Sequence, residues 1–133
     1  MLGEKIGHES GTITSRRVLS VDGPPTVEIS FAAEGEILGV THRTLGTYSS
    51  QVRSDGTIFG QGQGLLMGAG GEMATWKGSG VGTFNDQGGT DFRGAIYYHS
   101  ASTAWAQLDK VAGVFEYSEK ADGSTRAEVW EWR

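Results

Sequence analysis

Apolar and polar residues alternate along most of the chain. In TVEISFA, Val27, Ile29 and Phe31 fall on one side, and Glu28 and Ser30 on the other. A period of two is that of a strand with one covered face. Runs of this kind predict eight strands. The first covers roughly 5–20, the second TVEISFA, and the third roughly 36–52. The fourth is TIFGQGQGLLM, the fifth EMATWKGSGVGTF and the sixth DFRGAIYYHS. The seventh is AGVFEYSEK and the eighth STRAEVWEW. Turn signals separate them: VDGPP, AEGE with Gly35 at positive φ, Asp55-Gly56, GAGG, NDQGG and Ala121-Asp122-Gly123. One segment, ASTAWAQLD at 101–109, has helical spacing, with Ser102 as a cap and Trp105 and Leu108 on one side.

Sequential antiparallel strands with short connections predict an all-β fold, a single domain over residues 1–133. A closed up-and-down barrel is favoured over a two-sheet sandwich, because closure removes exposed edges and no long return connection suggests a Greek key. GQGQG at 60–64 and GSGVG at 78–82 place glycines at alternate positions of two neighbouring strands. Such strands suit a tightly bent sheet.

Loop lengths suggest a register. If GAGG is a four-residue loop closed by Met67 and Glu72, Gln63 faces Trp76 and Gln61 faces Gly78. If Phe84 pairs with Asp91, Gly78 faces Tyr97 and Trp76 faces His99. One face then gathers Phe59, Gln61 and Gln63 with Glu72 and Trp76, and with Arg93, Tyr97 and His99. A one-residue slip would reverse a strand relative to its neighbour. The face mixes aromatic and polar groups beside glycines, as ligand-holding barrels do. Each residue also has an ordinary structural explanation. Glu72 and Arg93 suit an ion pair or solvated charges, His99 an interior hydrogen bond or an exposed strand end, and Trp76 a core position.

The glycine runs do not bind nucleotides. Neither has Rossmann spacing, ends in Gly-Lys-Ser or Gly-Lys-Thr, or precedes a helix. His8, His42 and His99 fit no metal-binding spacing, so no metal or other cofactor is expected. Glu116, in VFEYS, is expected to point to solvent while its neighbours point inward. Cysteine is absent, which removes disulfides and thiolate catalysis. The net charge of −5 argues against a nucleic-acid partner. No apolar run is long enough to span a membrane as a helix, and the start lacks the apolar stretch of a signal peptide. A cytoplasmic location is expected.

GEMATWKGSGVGTF, FRGAIYYHSAS and VAGVFEYSEKADGSTRAEVWEW together resemble a family of small bacterial proteins of uncharacterised function. Its members show G-E-x-A-T-W, G-x-G-V-G, R-G-A-x-Y-Y, V-A-G-V-F-E-Y and W-E-W. The likeness covers roughly residues 60–133. It implies a barrel similar to that of allene oxide cyclase, and a homodimer. It transfers no activity, because fold does not imply function. The expected function is binding of a small, partly apolar molecule inside the barrel, an anionic organic acid among the candidates, oriented by Arg93 and the glutamines. The alternatives are a cofactor-independent isomerase or cyclase, with Glu72 or His99 moving a proton, and an oligomeric interaction protein using the exterior.

Overall fold

The computed structural model describes residues 2–133. Its eight strands are β1 (Leu2–Ser20), β2 (Thr26–Ile37), β3 (Val40–Val52), β4 (Ile58–Gly68), β5 (Met73–Phe84), β6 (Thr90–His99), β7 (Ala112–Glu119) and β8 (Ser124–Trp132). They form a closed barrel in chain order, with β8 returning to β1. Every neighbouring pair is antiparallel. Each strand therefore has two partners, and no edge is left unpaired. The register of β1 against β2 shifts at Ile13/Ser15 and again at Val18/Ser20.

Four hairpins are built alike. In each, the N–H of the residue that opens the turn donates to a carbonyl four residues on, and the N–H of the third following residue, a glycine, donates back. The pairs are Arg53/Thr57, Gly68/Glu72, Asn85/Gly89 and Lys120/Ser124, and the returning glycines are Gly56, Gly71, Gly88 and Gly123. All four glycines have φ between 79° and 90°. This is a three-residue loop, a type I turn closed by a glycine bulge. Gly68 and Glu72 close the β4–β5 turn, so Met67 pairs with Met73, not with Glu72. Phe84 likewise pairs with Thr90 rather than Asp91. The expected register was one residue off on both sides of β5, because the bulge glycine shortens the loop.

AEGE is not a turn. β2 continues to Ile37, and the chain reverses at Leu38-Gly39, with φ of 50° and 77°. Two consecutive left-handed residues make the tight turn suited to a two-residue hairpin. Gly35 instead lies within β2, where a Cβ would meet the carbonyl oxygen of His8 and stand 2.7 Å from Cα of Glu9.

The predicted helix is a 3-10 helix at Thr103–Lys110. Trp105 and Leu108 are fully buried and plug one end of the barrel, packed with Ile6, Ile37, Leu66, Ile96 and Val111. The indole N–H of Trp105 donates to the Ile37 carbonyl at 3.2 Å. Ser102 makes no side-chain cap; its Oγ accepts the N–H of Met73 at 3.0 Å. The helix is thus held by the barrel and not by its own terminus. Burying a side chain such as Leu108 contributes about 1.5–3 kcal/mol.

The alternate glycines of β4 and β5 face inward. Gly60 lies opposite Gly80, Gly62 opposite Gly78, and Gly64 opposite Trp76. Aromatic rings occupy the space that side chains would take. A Cβ at Gly64 would overlap the Trp76 indole, and one at Gly82 would come within 2.7 Å of the Phe92 ring.

Candidate functional site

Between the plug and the opposite mouth lies an interior cavity of about 100 Å³. This is the scale of the roughly 150 Å³ apolar cavities that take up a benzene ring. Its walls follow from strand parity. Every second residue of β3 points inward, which buries Thr44 and brings His42 and Tyr48 to the cavity. The same rule brings Phe31 from β2, Trp76 from β5, Phe92 and Ile96 from β6, and Phe115 and Tyr117 from β7.

Phe31, Tyr48, Phe92 and Tyr117 form a ring cluster, with centroids 5.6–6.2 Å apart. Their mutual angles are tilted or edge-on, which suits the ring quadrupoles. The Tyr48 hydroxyl lies 3.4 Å from both the Tyr117 hydroxyl and Oε2 of Glu119. Arg16 pairs with the other carboxylate oxygen of this buried glutamate. Burial pushes both tyrosine pKa values well above the usual range; for Tyr117 the charges of Glu119 and Glu9 add to the effect. Tyr98 is shifted the same way, first by burial and then by Glu9. These hydroxyls therefore stay protonated at neutral pH.

A second polar group stands nearer the plug. Oε2 of Glu9 accepts the Thr44 hydroxyl at 2.7 Å and lies 3.0 Å from Nε2 of His42. An ionised carboxylate only accepts, and opposite one the donor of this contact is Nε2–H of His42. His42 is 3% exposed, and its Nδ1 has no partner among the described residues. Oε1 of Glu9 makes no hydrogen bond to the described residues, while Glu9 borders the cavity and keeps 18% of its side chain accessible. No group of three or more acidic, histidine or cysteine side chains suited to a metal ion occurs among the described residues.

Most of the residues expected to share a face lie elsewhere. Trp76 does line the cavity. Gln61 borders it but is exposed, and Gln63 is exposed as well. Phe59 lies on the outer side of β4, under the Arg53 guanidinium at 5.0 Å. Glu72 closes the β4–β5 turn and accepts the N–H of Gly70 at 2.9 Å. Arg93 is 84% exposed and pairs loosely with Glu116 across 3.6 Å. Glu116 points outward as expected. Tyr97 is exposed, and His99, 79% exposed, holds Asp109 at 2.6 Å. The one-residue slip explains the difference: inward positions on β4 and β6 are the even ones, occupied by Gly60, Gly62, Gly64, Phe92, Ile96 and Tyr98. Arg93 cannot orient an anion inside the barrel, and Glu72 and His99 cannot move a proton there.

Glu9, His42, Tyr48 and Tyr117 were not among the expected residues. The alternation of β3 carried a signal for two of them, because His42 and Tyr48 share parity with Thr44 and Gly46. Nothing in the sequence joined Glu9 to them.

Comparison with solved structures supports the same architecture. A protein of unknown function from Clostridium acetobutylicum superposes with a TM-score of 0.85 at 14% identity, covering 98% of each chain. A conserved protein of unknown function from Rhodopseudomonas palustris gives 0.83 at 12% identity, over 98% of this chain and 97% of the other. A β-barrel-like protein from Acinetobacter baumannii gives 0.82 at 14% identity, over 100% and 96%. At these identities the likeness is one of fold: small bacterial β-barrels. No protein-family model matches the chain, and no curated protein matches it. No helix among the described residues is long and apolar enough to cross a membrane.

Proposed function

We propose that the barrel is a binding protein for a small, largely apolar molecule held in its interior. The observation that carries this reading is the cavity itself, walled by Phe31, Trp76, Phe92, Ile96 and Tyr117 with few polar groups. A concave, mostly apolar space with a few placed polar groups is the usual form of a small-molecule site. Toluene titration followed by methyl NMR tests it. Binding inside moves the methyl signals of Ile37, Leu66, Ile96 and Val129. A response confined to exposed Leu45 and Val81 rules the interior out.

A second reading is a cofactor-free isomerase or cyclase on an allene oxide cyclase-like barrel. It is favoured by Glu9, whose Oε2 is held by two donors while Oε1 is left without one. A carboxylate so placed can take a proton from a bound molecule, and neutral tyrosine hydroxyls can stabilise an oxygen that gains charge. Glu9→Gln would then abolish turnover while leaving binding intact. We also carry a homodimer as part of this proposal: Trp132 and its cross-strand partner Leu2 are 61% and 57% exposed. Light scattering reads the mass directly.

A further inference from the structure

We propose that the molecule this cavity selects is a small amine with an apolar body, its ammonium group docked on Oε1 of Glu9. The inference rests on the reading of the interior as a small-molecule site and adds the charge of the occupant. It begins with the two oxygens of one carboxylate. Oε2 is satisfied by Thr44 at 2.7 Å and His42 at 3.0 Å. Oε1 has no donor among the described residues, yet it belongs to a side chain that borders an apolar cavity. Oε1 is not one of the buried unpartnered atoms, which among the described residues are His42 Nδ1 and Thr90 Oγ1, so its surface is open and a donor from a bound molecule can reach it.

Charge narrows the choice of donor. No lysine or arginine lines the cavity among the described residues. Arg16, at the other mouth, is engaged by Glu119. Tyr98 and Tyr117 are neutral and feel the negative charge of Glu9. His42 offsets that charge only when it is itself protonated, and it is 3% exposed. An anion would meet Glu9 as a like charge. An alcohol would satisfy the hydrogen bond and leave the charge uncompensated. An ammonium does both, through a charge-assisted hydrogen bond.

Four probes of similar shape test this on the full chain at neutral pH: benzylamine, benzyl alcohol, toluene and benzoate, each titrated by NMR. Benzylamine is expected to bind about tenfold more tightly than toluene and more tightly than benzyl alcohol, with benzoate weakest. Its methylene protons should show contacts to the Glu9 side chain. Glu9→Gln should bring benzylamine down to the level of benzyl alcohol and leave toluene unchanged. If that variant does not fold, the ranking on the unaltered chain decides. Equal binding of benzylamine, benzyl alcohol and toluene, or preference for the alcohol or benzoate, overturns the ammonium assignment while the apolar site stands. Failure of all four probes to bind overturns both.

Discussion

Glu9 reaches His42 across a residue that has no side chain. The two stand on β1 and β3, and Gly35, on the strand between them, pairs with both. Their side chains meet at 3.0 Å inside the barrel. The missing side chain serves two ends. It leaves the carboxylate room to cross, and it allows β1 and β2 to approach closely.

Gly35→Ala should therefore destabilise the barrel. The new methyl would lie against β1 backbone, with Cα of Glu9 only 2.7 Å away, and backbone has no rotamer with which to yield. The expected loss is about 1–3 kcal/mol, as for other overpacked sites. Urea denaturation measures it, and a His42 shift in the NMR spectrum should accompany it.

Gly64 and Trp76 should couple strongly. A methyl at Gly64 overlaps the indole that lies over it. Gly64→Ala alone should cost about 1–3 kcal/mol. In the Trp76→Ala background the indole is gone, and the same substitution should cost much less. A double-mutant cycle should give an interaction energy above about 0.5 kcal/mol; additivity within error would show that the ring moves aside freely.

Acid should weaken the attachment of the plug. The His99 side chain and the Ser100 N–H hold the Asp109 carboxyl below its ordinary value of 3.8. A carboxyl depressed in the folded state adds stability above its unfolded pKa and loses it as pH falls through the folded one. Asp109→Asn should thus be less stable than the parent above pH 3.8, with the difference shrinking below that value. Thermal melts of both chains across the acid range give the comparison.

Alkali should also destabilise the barrel, through the interior tyrosines. Tyr48, Tyr98 and Tyr117 have pKa values raised by burial above the ordinary 10.0. Groups raised in the folded state keep their full stabilising effect below the unfolded pKa and lose it as pH climbs above that value. Stability should therefore fall above pH 10. Ultraviolet titration should find these three tyrosines ionising together with unfolding. Smooth ionisation of all of them in the folded barrel would contradict their burial.

Strand number, antiparallel order, most turn positions and the short helix with its Trp105–Leu108 pair could be read from the sequence. Alternation and glycine placement are local properties, and local sequence sets them. Closure of β8 on β1 was favoured from the sequence over a two-sheet sandwich, because short connections suit an up-and-down order and closure removes exposed edges. Even the outward direction of Glu116 followed from its apolar neighbours.

The inner face was a different matter. Its choice turned on whether Met67 faced Glu72 or Met73, a difference of one residue set by a bulge glycine at φ 90°. With a period of two, that slip exchanges inside for outside for Phe59, Gln61 and Gln63 relative to Trp76, and the matching slip at Phe84, which pairs with Thr90, does the same for Arg93, Tyr97 and His99. Glu9 and His42 are 33 positions apart, and only closed-barrel geometry brings them together over Gly35. The glycines of GQGQG and GSGVG announced a curved wall from the sequence alone. That Trp76 and Phe92 lie on that wall and border the cavity together with Glu9 and the tyrosines was decided by tertiary packing, because rings seat themselves wherever neighbouring strands leave space.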